Sequence, residues 1–439
     1  MISKLKYYLL QRQYTLDELI QFLLSFALIV VPVFFIPDRS LIDPYSQPRF
    51  IMLLVIACLF ILIFIFEPHR FFAIINRNKT INTLVLIYIL ILTISLTYSV
   101  DLGLSLFGFH FWKDGYVVQI VYFTLFFAAQ MEFVLNKKIL TTMIVIGVFV
   151  ALYGVLQNFG IDFMQDSNFI SLPVTAGMYN QNFLGSYFVL ILPITVFSYL
   201  KLGNSFYLLS FFIQFYVLLG TLTRGAWLGF LSSLVTLAVL VVCKKIIFNN
   251  GGRKVLFLII SLILAILLFD FFNENVLLGR LLSIFYDTGS LITGENSNTI
   301  GSYRGYIWSR TINYIGQRPL QGYGIQNIML YFLSDYLKEM FKLFNDVILV
   351  NNVHNEYLQI AVSTGIPSLV IIAIAAVRIL KTGFNRIDKH VILLPILLSI
   401  IGYLVQYFFS LSFISNTFIL YIMLGSILSD KENTNSNDY

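Results

Sequence analysis

Residues 350–370 read VNNVHNEYLQIAVSTGIPSLV, with a histidine set among asparagines directly ahead of an apolar run. Neutral imidazole, with a reference pKa of about 6.5, can accept a proton at neutral pH, so His354 is a candidate general base. It can equally cap or hydrogen-bond the start of the following helix, a task open to Asn352 and Asn355 as well. Glu356 follows by two positions, which on a helix turns it away from His354, so no His–Glu relay is expected. A second candidate, Arg224, lies in LLGTLTRGAWLGF, a break of a few residues between two apolar runs. A guanidinium at such a depth either serves a wet or anionic site or snorkels to the interface. Gly225, Ala226 and Gly229 beside it permit close helix packing. Arg304 and Arg310 share SYRGYIWSRTINYIGQRPLQGYG, which reads as a short helix starting near Ser302 and stopped by Pro319, Gly322 and Gly324. Six residues separate the two arginines, about 240° around a helix, so they cannot both face one ligand. Trp308 stands one turn beyond Arg304, a spacing suited to stacking. Guanidinium forks match phosphate oxygens, and outward arginines beside a membrane point to a lipid diphosphate.

Metal chemistry is disfavoured by the same inventory. The four histidines are His69, His110, His354 and His390, and the span pattern below puts two on each side of the membrane, too few for a three-ligand zinc set. The outer loops contain no D-x-D or E-x-x-H pairing, and GYGIQN has too few glycines for a phosphate loop, so it reads as a turn. Cys58 and Cys243 fall within apolar runs, and no disulfide is expected. No cofactor is implied.

These residues must be positioned by helices in a bilayer. The 439-residue chain is 58% apolar and 11% charged, with a mean hydropathy of +0.85, which is the composition of a polytopic membrane protein. Apolar runs long enough to cross about 30 Å of hydrocarbon predict about twelve transmembrane helices, near 19–36, 50–66, 81–97, 116–134, 139–156, 183–200, 205–222, 226–247, 255–271, 356–377, 391–408 and 412–429. The expectation is an all-α fold, one integral membrane domain over 1–439. With a cytoplasmic N-terminus, about eighteen basic residues fall in inner segments, against four in short outer loops: Arg39, Arg49, Lys113 and Arg224. Both termini are therefore expected inside. The formal charge of +6 follows from this topology and carries no nucleic-acid footprint. Inner connections are too short for a soluble domain. The outer face carries the long polar material, above all a loop over about 272–355 with short helices, expected to be catalytic. Within it, LYFLSDYLKEMFKLF has an amphipathic pattern suited to the membrane surface. The polar tail over 430–439 is expected to be disordered.

SYRGYIWSRTINYIGQRPLQGYGIQN, then HNEYLQIAVSTGIPSLV some thirty residues later, with TRGAWLGF upstream, resembles the signature of the O-antigen ligase and O-antigen polymerase superfamily, the Wzy/WaaL type. The resemblance covers the hydropathy plan of nearly the whole chain and specific residues in roughly 220–230, 301–327 and 352–369. It differs after the histidine, where Ser363 and Ser368 stand in place of an acidic residue and a glycine. The resemblance implies a metal-independent, inverting glycosyltransferase in the bacterial inner (plasma) membrane, with its site on the outer face. Such enzymes move a glycan from undecaprenyl diphosphate to a lipid A-core or a growing glycan. Carried over, Arg224 and Arg304 match the diphosphate-gripping arginines and His354 the histidine that activates the acceptor hydroxyl. Arg49 and Lys113 match outer basic positions, and Arg310, Asn355 and Trp308 are auxiliary candidates. A chain-length regulator or a flippase are the implied protein partners.

Two other classes fit the hydropathy plan. One is a transporter or flippase of lipid-linked oligosaccharide or polysaccharide, for which about twelve spans is a common number. Its spans would carry ionisable residues near their middle, and here the polar material collects in an outer loop instead. The other is an envelope scaffold, for which the outer arginines would be dispensable.

Overall fold

The computed structural model describes residues 2–38, 41–164, 173–244, 246, 248–280, 282, 300–344 and 350–430. Arg39, Lys245, Lys431, the tail beyond Asp430 and loop residues 283–299 and 345–349 lie outside the described residues.

The described chain is helical and contains no strand. In order, the α-helices are α1 Ile2–Ile29, α2 Ser46–Phe66, α3 Pro68–Arg77, α4 Lys79–Ser95, α5 Leu102–Phe107, α6 Tyr116–Ala129, α7 Lys137–Asn158, α8 Gln181–Leu202, α9 Ser205–Gly220, α10 Arg224–Lys244, α11 Gly251–Phe272, α12 Ile300–Gln317, α13 Ile328–Phe344, α14 Glu356–Thr364, α15 Ile366–Arg386, α16 Leu393–Gln406 and α17 Thr417–Ile427. Among the described residues, 8 segments are long and apolar enough to cross a membrane, and α6, α9, α16 and α17 are shorter apolar helices. Together they lie at or near eleven of the twelve expected positions and overlap the tenth only in part. The short helices continue into irregular backbone, such as 408–416 between α16 and α17. Non-helical backbone at membrane depth is tolerated only where protein surrounds it, and Leu411, Phe413 and Ile414 are buried.

Helix starts follow local chemistry. Asn136, Asn180, Asn204 and Asn355 each accept a backbone N–H of the first turn through the side chain, and Asp101 does so for α5. The bundle is organised around α8, whose whole apolar window is buried. Helices α7, α9, α10 and α16 pack around it. Small residues set the approach of α10 to α16. A Cβ on Gly229 would lie 2.6 Å from the carbonyl oxygen of Gly402, and Ser233 donates to Leu398 O at 2.8 Å.

The tenth expected span, 356–377, is corrected by the structure. It is broken at Gly365 into the half-helix α14 and the full span α15. The cause is tertiary. Gly365 has φ +89, and a Cβ there would lie 2.2 Å from Leu320 O. The 319–324 turn fills the break: Ile366 N–H donates to Pro319 O at 2.7 Å, Tyr323 N–H to Val362 O at 2.9 Å and Gly324 N–H to Ser363 O at 2.9 Å. The same turn is fastened on its other side. Asn327 accepts from Asp101 N–H at 2.7 Å and donates to Ser105 Oγ at 2.6 Å.

The two loop helices make a small core of their own. Tyr306, Ile307 and Tyr314 of α12 pack with Ile328, Phe332 and Met340 of α13. The amphipathic face expected to lie on the membrane surface is therefore partly spent on α12, leaving Leu337, Phe341 and Leu343 exposed.

Gly365→Ala should lower stability by about 2 kcal/mol or more, because both φ and space oppose a side chain. Gly316→Ala, in a helix with nothing within 4 Å of the new Cβ, should be neutral or gain up to about 1 kcal/mol. Thermal melts of both variants in detergent check this, and equal midpoints would contradict it.

Candidate functional site

The short α9–α10 connection positions Arg224. Helix α9 ends at Gly220, Leu222 turns the chain with φ +52, and Arg224 opens α10. Trp227 locks the turn by donating its indole N–H to Leu218 O at 3.1 Å. Thr221 and Thr223 share a hydroxyl hydrogen bond of 2.7 Å beneath it. Arg224 therefore stands at the start of α10, where the helix dipole favours an anion.

Arg304 comes from the first turns of α12, next to Tyr303 at φ +67. Burial, and then the charge of Arg224, lower the Arg304 pKa to about 10. It stays cationic at neutral pH, but two guanidinium groups are held in each other's field. That arrangement costs energy unless an anion shares them.

His354 precedes the Asn355 cap of α14 and has φ +53. Its backbone is held from three sides. Asn352 Oδ1 accepts its N–H at 3.2 Å, Gln359 Oε1 accepts the Val353 N–H at 3.1 Å, and the Trp308 indole donates to Val353 O at 2.9 Å. Left-handed backbone at a non-glycine residue persists only where surroundings enforce it, and such positions collect at functional sites. Here Leu222, Tyr303 and His354 bring one to, or within two residues of, each candidate. The imidazole packs edge-on against Trp112 with ring centroids 6.1 Å apart, and Trp112 also meets Phe183 and Phe413. Burial, and then the charge of Arg304, lower the His354 pKa to about 4. The side chain is therefore neutral at pH 7, as a proton acceptor must be.

Arg224, Arg304 and His354, three separate stretches of the sequence, are thus coupled in one electrostatic cluster. A packing path links them as well. Gly225 lies against Phe409, Phe409 faces Trp308 at 6.5 Å, and Trp308 is bonded to the peptide before His354. The Trp308 indole N–H is engaged there rather than merely stacked along α12. Asn355, one of two residues expected to cap the half-helix, is the cap, accepting from Leu358 N–H at 3.1 Å. Asn352 braces His354 instead.

The other basic candidates stand elsewhere. Arg310 pairs with Glu339 of α13 and lies over Tyr306 and Tyr336 at 5.3 and 5.4 Å, so it holds the two loop helices together. Arg49 lies within α2 rather than in a loop. It is fully buried and donates to Phe34 O, Ser415 Oγ and Gly177 O at 2.9, 2.9 and 2.8 Å. It pins three connections that surround the site. Lys113, at φ +50, lies 5.9 Å over the Phe50 ring, its pKa lowered by burial and opposed by Asp43. Glu356 turns away from His354, as its spacing implied, and accepts from Ser412 N–H and Oγ, both at 2.8 Å.

Sequence reasoning passed over the aromatic wall of Trp112, Phe183 and Phe413, and the bracing groups Asn327 and Gln359. Trp112 had a usable signal, one of three tryptophans in an outer loop. Asn327 has partners 226 and 222 positions away, whereas Gln359 reaches Val353 only 6 positions before it, a bond that forms because the chain turns at His354.

Residues 209–373 match the family described as O-Antigen ligase. The matched segment is under half of the chain and contains Arg224, Arg304 and His354. The resemblance read from the motifs is thereby shown over the part of the chain that builds this cluster. It supports activity of the O-antigen ligase or polymerase type in general, that of a membrane-embedded glycosyltransferase. Comparison with curated proteins gives no match.

The depressed His354 pKa has a consequence for stability. The unfolded chain takes up a proton near pH 6.5 that the folded site refuses until about pH 4, so stability should fall as pH drops through that window. Histidine-labelled NMR should show His354 neutral at pH 5.5, with an inflection near 4. An inflection at or above 6.5 would contradict the burial and the coupling to Arg304.

Proposed function

We propose that the protein is a glycosyltransferase that moves a glycan from undecaprenyl diphosphate to an acceptor hydroxyl, on a glycan chain or a lipid A-core. The observation that carries this is the coupling of Arg224, Arg304 and a neutral His354 at one place. In this reading the diphosphate sits on Arg224 and Arg304 at the start of α10. The guanidinium forks take two oxygens each and offset the like-charge cost between them. His354 accepts the proton of the attacking hydroxyl as its oxygen bonds to the anomeric carbon. The bond to the diphosphate oxygen breaks, and the negative charge that builds there falls on fixed cations in a low-dielectric site. A single displacement from the face opposite the diphosphate inverts the anomeric centre. The arginines serve as the charge acceptor, so the reading is metal-independent. In this reading the site stands on the outer face of the bacterial inner membrane with both termini cytoplasmic, an orientation that the basic-residue distribution supports.

The low pKa of His354 gives the reading an order of events. In the free protein burial, and then the field of Arg304, hold the imidazole weakly basic. A bound diphosphate neutralises that field and raises the imidazole toward the pKa a base needs near neutrality. Donor binding therefore switches on the base that uses it.

Arg224→Ala and Arg304→Ala should each cost about 10²–10³ in kcat, and His354→Ala about 10²–10⁴, with the proteins still inserted and folded. Arg304→Lys should rescue poorly, because a point charge lacks the fork. Purified protein in nanodiscs, given undecaprenyl-diphosphate oligosaccharide with or without lipid A-core, reads the outcome by product size. A ladder without added acceptor marks a polymerase, and a product only with lipid A-core marks a ligase. Full activity in all three alanine variants would sink the proposal.

The order of events has its own test. The acid limb of kcat/KM should report the free protein near pH 4, and that of kcat should lie higher, because it reports the donor complex. Coincident limbs would remove the donor-switched base.

A further inference from the structure

Consecutive helices α10 and α11 both lean on α9 and α8 but scarcely touch each other. Between their halves remote from Arg224 lies a cavity of about 630 Å³. Its walls include Leu234, Leu237 and Val241 of α10 and Val255, Leu258 and Leu262 of α11. The volume is that of a ligand site rather than of a packing defect. Ala238 and Val242 on one wall and Val255 and Ile259 on the other are open at the protein surface, so the cleft faces the hydrocarbon sideways.

One end of this cleft is rimmed by cations. Leu200 and Gly252 line it, and their neighbours are Lys201 and Arg253. Lys254 is fixed at the same rim, donating its ammonium to Leu200 O at 2.6 Å. Arg253 is exposed, with its guanidinium 5.5 Å over the Phe257 ring. No aspartate or glutamate occurs between residues 167 and 269, so the helices that build the cleft supply no carboxylate to these cations.

We propose that the α10–α11 cleft is a binding site for an anionic membrane phospholipid, its acyl chains between the two helices and its phosphate against Arg253 and Lys201. An apolar cleft open to lipid with basic side chains at one end matches such a molecule in both halves. The distribution of basic residues places this rim at the cytoplasmic leaflet, where anionic headgroups concentrate. The site is separate from the Arg224 cluster, which stands at the other end of α10, roughly 30 Å away for a helix of that length. The lipid would serve as the missing packing partner between α10 and α11.

The test is native mass spectrometry of delipidated full-length protein titrated with phosphatidylglycerol or with phosphatidylcholine of identical chains. Phosphatidylglycerol should bind at least tenfold more tightly. Arg253→Gln and Lys201→Gln should each reduce that preference about fivefold without changing the thermal midpoint. Ala238→Trp, which fills the cleft from its open side, should weaken both lipids together. Equal affinity for the two lipids, or a preference untouched by the two charge variants, would overturn the proposal. So would displacement of phosphatidylglycerol by undecaprenyl phosphate with no dependence on Arg253, because the cleft would then hold a polyprenyl chain.

Discussion

The backbone seam between the 319–324 turn and the break at Gly365 is the constraint on which the rest of the site depends. Three N–H···O bonds, from Ile366, Tyr323 and Gly324, join a loop helix to a broken span. Gly322 and Gly365 are required where they stand. A Cβ on Gly322 would lie 2.5 Å from the carbonyl of Ser363, and one on Gly365 2.2 Å from that of Leu320. Once the seam closes, α12 cannot move independently of α14, and Arg304 is delivered to the residue that precedes the α14 cap. The backbone groups freed by breaking a helix at membrane depth also need partners, and the turn provides them. The seam is therefore at once the cost of the break and its remedy.

Electrostatics then follow from placement. Burial alone would lower the pKa of His354, and Arg304 lowers it further, while Arg224 acts on Arg304 in the same sense. A cluster of two guanidinium groups and one neutral imidazole is suited to receive an anion. The surrounding structure enforces it. Leu222, Tyr303 and His354 all hold left-handed backbone, and each lies in a segment secured by hydrogen bonds or close packing rather than by its own preference. Arg49 contributes at a distance by tying Phe34, Gly177 and Ser415 into one rim. A buried arginine is tolerated there because its donors meet oxygens.

Most of the architecture was legible because a bilayer imposes a simple rule. Backbone groups in hydrocarbon must be satisfied within the helix, so a run of apolar residues marks a span with little ambiguity. The twelve positions came out near their observed places for that reason. The tenth was misplaced because Gly365 and Pro367 sit inside an apolar stretch whose hydropathy continues across the break. Hydropathy is blind to a backbone interruption that protein, not lipid, surrounds. The amphipathic α13 was read toward the membrane for a related reason. Periodicity reveals that a face is apolar, and it does not reveal whether lipid or α12 covers it.

By itself, the sequence determined the helical membrane fold and the separation of Arg304 from Arg310 around one helix. Each depends only on helix geometry or on transfer of side chains to lipid, which are local quantities. Only the tertiary structure decided that Arg224, Arg304 and His354 share one field. It also decided that Arg49 and Arg310 hold structure together, and that Asn355 rather than Asn352 caps α14. Apart from the cap, a local bond from Leu358, those outcomes turn on contacts between residues 15 to 366 positions apart. A cation that grips a ligand and a cation that pins a loop have the same local sequence. What separates them is which oxygens the fold brings within reach.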